Sequence, residues 1–231
     1  MKKDKQIILR AENLVKYYYE PVKFQALKSI SFKVYEGEFL SVVGKSGCGK
    51  TTMMYILSTM DTDYEGELFI SGEKVTGKKN DYLADIRNKH IGFVFQFHYL
   101  LPEFTCLKNV MIPALKLNKY SYKEVEQRAY EKLELLGIKE QAHKQASKIS
   151  GGQQQRVAIA RALINDPKII MCDEPTGNLD SKNTNIVIDI FKKLANDYGQ
   201  TIIAVTHDKD FSDKSTRTME MKDGEILSHG W

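Results

Sequence analysis

Apolar and polar positions along this chain switch between two repeats. Glu38-Phe39-Leu40-Ser41-Val42-Val43 is mostly apolar and ends β-branched, which predicts a buried parallel strand. From residue 51 to 60 the repeat turns helical, with Met53, Met54, Ile56, Leu57 and Met60 in step. Further buried strands are predicted at Ile91-Gly92-Phe93-Val94-Phe95, at Lys168-Ile169-Ile170-Met171-Cys172 and over residues 201–206. Each runs into polar residues: Gln96, Asp173-Glu174 and His207 respectively. Helices are predicted between them. Ser121-Tyr122-Lys123-Glu124 is a capping box that opens a helix with Val125, Ala129, Leu133 and Leu136 on one face, closed by Gly137. Ser150-Gly151-Gly152-Gln153 opens another, with Val157, Ala160, Leu163 and Ile164. A third carries Ile186, Val187, Ile190, Phe191 and Leu194 and ends at Tyr198-Gly199. The chain is therefore α/β with a mostly parallel sheet.

Weaker patterns frame this core. Residues 7–12 and 29–35 read as short strands of an N-terminal antiparallel layer, separated by the cluster Tyr17-Tyr18-Tyr19 before Pro21. Glu65-Gly66-Glu67 reads as a turn, followed by a hairpin over 68–71 and 72–75. Residues 97–104 are aromatic and leucine-rich, a loop with exposed apolar groups. The region of about 97–155 is mostly helical and reads as an inserted sub-domain. Residues 217–226 close the chain as a hairpin around Asp223-Gly224.

Composition removes several functions. At 231 residues and 42% hydrophobic, the chain suffices for one large domain with a packed core. The net charge of +4 is too mild, and the lysines too scattered, to argue for nucleic acid. Cys48, Cys106 and Cys172 show no metal spacing, and an odd count suits a reducing compartment. The charged start Met1-Lys2-Lys3-Asp4-Lys5 lacks the apolar stretch of a signal peptide, and no apolar run approaches the ~20 residues of a membrane span. A soluble, cytoplasmic chain is expected, reaching a membrane only through another protein.

The chemistry gathers at residues 44–52. Gly44-Lys45-Ser46-Gly47-Cys48-Gly49-Lys50-Thr51 matches G-x-x-x-x-G-K-T, the phosphate-binding loop, and Thr52 follows it. A glycine loop between strand and helix can wrap backbone N–H groups around phosphate oxygens, and the helix N-terminus adds partial positive charge. Lys50 would reach the β- and γ-phosphates and the Thr51 hydroxyl would bind Mg²⁺. Cys48 has two readings here: a thiol activated by the helix N-terminus and Lys50, or a small filler. Asp173 and Glu174, adjacent carboxylates at a strand end, are costly to bury unless a metal and a polarised water justify them. Small residues at 150–152 begin a helix and make a second phosphate-binding surface.

Taken in order, the loop, Gln96, Ser150-Gly151-Gly152-Gln153, Asp173-Glu174, Asn178-Leu179-Asp180 and His207 resemble the ATP-binding subunit of ABC transporters over essentially the whole chain. The S-G-G-Q signature is the discriminating motif. The resemblance implies one ABC ATPase domain over 1–231, with ATP and Mg²⁺ as cofactors. It implies that Tyr18, in the pattern Leu14-x-Lys16-x-Tyr18, stacks on adenine, with Tyr17 or Tyr19 as substitutes. Gly44 to Thr52 would hold the phosphates; Thr51, Gln96 and Asp173 would serve the metal. Glu174 would be the general base, His207 would contact the γ-phosphate, and Asp180 would bridge two subunits. Ile149 stands where leucine is usual, a conservative change. The implied assembly is an ATP-induced homodimer bound to an integral-membrane permease at the cytoplasmic face of the inner membrane, without nucleic acid.

Within the family, Cys106–Pro113, Ser150–Arg156 and Asp173–Ser181 are similar to the lipoprotein-releasing and macrolide-exporter group, and to a related cell-division ATPase. Lipoprotein release or drug or peptide export is implied. A soluble ABC ATPase is the competing class. Chromosome and repair types carry a long coiled coil between loop and signature, and residues 53–150 show no sustained heptads. Translation-factor types carry two cassettes, and a simple nucleotide switch would need neither the signature nor Glu174.

Overall fold

The computed structural model describes residues 6–229; the charged run Met1–Lys5 lies outside the described residues. In chain order the elements are β1 (Ile7–Tyr18), β2 (Phe24–Tyr35), β3 (Phe39–Val43), α1 (Lys50–Leu57), β4 (Glu65–Ile70), β5 (Glu73–Lys74), α2 (Asn80–His90) and β6 (Ile91–Val94). There follow α3 (Cys106–Leu117), α4 (Tyr122–Leu135), α5 (Gly151–Leu163), β7 (Ile169–Asp173), α6 (Ser181–Tyr198), β8 (Thr201–Val205), α7 (Lys209–Ser212), β9 (Arg217–Lys222) and β10 (Glu225–His229).

Two sheets result. An antiparallel sheet has the order β2-β1-β4-β5, and a larger one the order β10-β9-β3-β8-β7-β6. In the larger sheet β6, β7, β8, β3 and β9 run parallel, and β10 pairs antiparallel at the edge. Every residue of β7 and β8 is buried, as a parallel sheet covered on both faces requires. The pleat sends alternate side chains to two separate cores. Ile170, Cys172, Ile202 and Ala204 join α3–α6; Ile169, Met171, Ile203 and Val205 join α1 and the antiparallel layer. Because β3, β6, β7 and β8 are parallel, Gly44, Gln96, Glu174 and His207 all follow strand ends on one edge of the sheet.

Three segments depart from the sequence pattern. The first strands are longer than 7–12 and 29–35, since pairing continues wherever backbone groups find partners. Register shifts between Ala11 and Leu14 and between Leu14 and Lys16 break the alternation that would reveal it. Residues 65–67 are no turn: Glu65 and Glu67 pair with Val15 and Glu12 of β1. Helix α2 buries only Leu83 and Ile86, too narrow a stripe to register as a helical repeat.

The predicted capping box of α4 forms, and α5 has one as well, where the sequence pattern marks only a helix start. Ser121 and Glu124 cap α4, and Ser150 and Gln153 cap α5, each side chain bonding the other residue's backbone N–H. Glu38 and Arg217 join the two layers. The Glu38 carboxylate lies 2.8 Å from Arg217 Nε and accepts from Tyr35 N at 2.8 Å, while Arg217 donates to the Lys33 carbonyl at 2.7 Å. Both residues are buried. Glu38→Ala should leave the guanidinium buried without this carboxylate and destabilise the fold by about 3 kcal/mol. The check is the urea midpoint at unchanged slope; an unmoved midpoint would show that the layers are not held here.

Candidate functional site

The loop between β3 and α1 folds as its glycines dictate. Gly49 takes φ 102°, and a Cβ there would lie 2.6 Å from the Ala26 carbonyl oxygen, so only glycine fits. Lys50 is 8% exposed, and its ammonium donates to the Gly44 and Lys45 carbonyls at 2.8 and 3.0 Å. Helix α1 begins here, so its first N–H groups face the same space. Lys45, Ser46 and Gly47 are exposed on the loop. Cys48 is 5% exposed, with its sulfur 4.0 Å from Lys50 Nζ. It packs beneath the loop as the filler reading expects.

A cleft of about 520 Å³ opens above the loop. Tyr18, Gly44, Ser46, Gly47, Gly49, Lys50, Thr51, Thr52, Gln96, Glu174 and His207 line it, so residues far apart in sequence converge as expected. The tyrosines separate cleanly. Tyr18 borders the cleft, whereas Tyr17 and Tyr19 pack on each other at 6.3 Å and against the Lys23 ammonium. The sequence reading missed Phe24 and Ala26, which also line the cleft. They fall in the part of β2 that its alternation does not mark.

The acidic end of β7 has two carboxylates in different settings. Asp173 accepts from the Thr51 hydroxyl at 3.3 Å. Burial pushes its carboxyl above the usual range and Glu174 adds to this, against the opposing pull of Thr51 and Lys50. Glu174 sits at φ 48°, a conformation uncommon outside glycine and stored at functional sites. Its carboxylate is 14% exposed, lies 2.9 Å from His207 Nδ1 and accepts from His207 N at 3.2 Å. Asn178 donates to the Gln96 carbonyl at 3.0 Å, and Asp180 caps α6 through Asn183 N at 2.8 Å. Among the described residues no cluster of three or more His, Cys, Asp or Glu could hold a metal alone. One hydroxyl facing one carboxylate, with an amide nearby, is a sparse oxygen set. It suits Mg²⁺, which is held largely by phosphate oxygens and water.

Ser150, Gly151, Gly152 and Gln153 do not line this cleft. They begin α5, with Ser150 and Gly151 exposed. Gly152 is buried, and a Cβ on it would collide with the Asn183 side chain, itself held by both Asp180 carboxylate oxygens at 3.1 and 2.9 Å. Asn183 carries no sequence signal; only the fold puts it there.

Comparison with known proteins identifies the family. Residues 27–177 match the family described as ABC transporter. The lipoprotein-releasing system ATP-binding protein LolD of Aquifex aeolicus (strain VF5) is 47% identical over 220 residues, 95% of this chain and 96% of its own. The LolD of Bacteroides fragilis (strain YCH46) is 48% identical over 203 residues, 88% of this chain and 94% of its own. A solved ATP-binding cassette, a dimer in a post-hydrolysis state bound to ADP and Pi, superposes with a TM-score of 0.89. It is 39% identical, and the match covers 96% of this chain and 97% of that one. The chain thus belongs to the ABC transporter family, as an ATP-binding and ATP-hydrolysing subunit.

Proposed function

We propose that this chain, as an Mg²⁺-dependent homodimer closed by ATP, drives an integral-membrane partner that releases lipoproteins. The carrying observation is the 47% identity to a lipoprotein-releasing subunit across 95% of the chain. Tyr18 holds the base and residues 44–52 the phosphates. Thr51, Asp173 and Gln96 serve the metal, which when bound neutralises phosphate charge. Glu174 takes the proton of the attacking water, and His207, hydrogen-bonded to it, faces the γ-phosphate. The signature of Ser150–Gln153 stands apart from its own chain's cleft, which supports its use on the partner's nucleotide. Two sets of N–H donors then meet the phosphates only in the closed dimer. Residues of about 97–155 act as a helical sub-domain that carries the signature. Among the described residues no helix is long and apolar enough to cross a membrane. The likeness to LolD supports work at the cytoplasmic face of the inner membrane through a membrane partner.

The docking surface follows from the same reading. Phe97, Tyr99, Leu101 and Phe104 are all exposed, yet their backbone is pinned. Arg161 donates to the Tyr99 and His98 carbonyls at 2.7 and 2.8 Å, and buried Asn109 bonds both N and O of Leu101. Fixed backbone with exposed aromatic groups suits a partner rather than a core.

Three outcomes test these assignments. Glu174→Gln keeps shape but loses basicity, so hydrolysis should fall roughly 10²-fold or more while ATP binding survives. That variant should run as an ATP-bound dimer on a sizing column, and Lys50→Ala as a monomer. Wild-type turnover, or a monomer in saturating Mg-ATP, would refute Glu174 as the base of a sandwich dimer. Charged substitutions at Tyr99 or Leu101 should abolish co-purification with the membrane partner at unchanged melting temperature; normal co-purification would exclude this surface. In cells, replacing the chain by its Glu174→Gln form should leave lipoproteins at the membrane where they mature. Normal lipoprotein distribution would overturn the cargo assignment.

A further inference from the structure

Lys16 is a buried cation with an elaborate set of partners. Its side chain is 5% exposed, and its ammonium lies 2.9 Å from one Asp61 carboxylate oxygen and 3.0 Å from the other. It also meets the Asp63 carboxylate at 3.1 Å and the Asp63 carbonyl. Burial alone would push this lysine's pKa down. The hydrogen bonds and charges of the two aspartates outweigh it and hold the pKa above the ordinary value. The ammonium therefore stays charged where it stands.

It stands over an aromatic ring. Lys16 Nζ is 5.2 Å from the centroid of the Tyr18 ring, within the range where a cation is attracted to the negative π-face. Lys16 and Tyr18 are two apart on β1, and their side chains meet although the pairing register with β2 shifts between Lys16 and Tyr17. The Tyr18 hydroxyl is also 3.4 Å from the Thr52 hydroxyl, in the first turn of α1. The ring is thus fixed at its face and at its tip, while 41% of Tyr18 stays exposed and it borders the cleft.

The anchor of Lys16 belongs to the same helix as the phosphate loop. Asp61 N donates to the Tyr55 carbonyl at 3.1 Å, and Asp63 N to the Asp61 carboxylate at 2.9 Å, so both aspartates are tied to the end of α1. Lys50 and Thr51 are at its beginning. One helix therefore sets the phosphate groups at one end and, through Lys16, the aromatic ring that meets the base.

We propose that Lys16 is a positioning residue for base recognition: without touching the nucleotide, it holds the Tyr18 ring against α1 in the attitude that stacks on adenine. This rests on the reading of Tyr18 as the base-stacking residue. A tyrosine already held loses less freedom on binding, so affinity for the base rises through preorganisation. A purely structural Lys16, stapling β1 to α1, would instead affect the phosphate loop and the base site together.

Calorimetric titration with ATP and with inorganic tripolyphosphate, which has no base, separates the two. Lys16→Met should weaken ATP binding about three- to tenfold, the scale of one cation–π contact, and leave tripolyphosphate affinity unchanged. Tyr18→Ala should weaken ATP alone in the same way, and the double variant should bind ATP no more weakly than Tyr18→Ala. Asp61→Asn, which loosens the anchor but keeps the lysine, should show the same selective loss and serves if Lys16→Met does not fold. Equal losses for ATP and tripolyphosphate, or losses that add in the double variant, would overturn the positioning role. Unchanged ATP affinity in Tyr18→Ala would instead overturn the base-stacking reading itself, and this inference with it.

Discussion

Lys50 puts a full positive charge beside the N-terminus of α1, where the helix already presents partial positive charge. Two like-signed sources at one point, largely removed from water, oppose each other. The Gly44 and Lys45 carbonyls satisfy the ammonium but do not neutralise it. A polyphosphate relieves both at once. Much of the fold serves this arrangement. β3 must end where the loop begins, Gly49 must lack a side chain so that β2 can pass close by, and Asp173 must approach Thr51 from β7. Asp173 meets a different cost in the same place: burial and Glu174 raise its carboxyl in spite of the pull of Thr51 and Lys50.

Parallel topology then does the gathering. Strands β3, β6, β7 and β8 end on one edge, so residues from 44 to 207 face one cleft without any side chain reaching far. The signature is excluded from this convergence. It begins α5, on the helical side of the sheet, and its Gly152 is packed against Asn183. The signature therefore stands outside its own chain's cleft, and on the proposed reading a second copy supplies its donors there.

How far the sequence shows this depends on how local each cause is. The loop, the capping box of α4 and the short all-apolar strands β7 and β8 are set by neighbours in sequence, and their residues declare them. The extension of β1 is set by pairing with β2 and β4 across register shifts, so alternation fails where Lys16 and the tyrosines begin. Glu65 and Glu67 look like turn residues and are strand residues because β1 needs a partner. Phe24 and Asn183 matter through what they face, which no spacing encodes. At Cys48 the residue pattern leaves two readings open, a thiol activated by a lysine and a helix end or a small filler, and its burial suits the filler.

Helix α5 joins two of these surfaces. Its N-terminus is the signature, and Arg161, near its other end, holds the His98 and Tyr99 carbonyls of the exposed aromatic loop. The helix spans about 20 Å at the usual rise per residue, and no proline or glycine interrupts it after Gly152. The loop in turn continues from Gln96, whose carbonyl is tied by Asn178 to the turn that leads into Asp180 and Asn183. A force on the aromatic loop therefore meets two stiff connections. One runs along α5 to the signature, and the other through Asn178 to the residues that pack against Gly152. Both end on the same glycine. On the proposed docking, a partner that displaces the loop must move the signature as well or break the hydrogen bonds that Arg161 and Asn178 make to it.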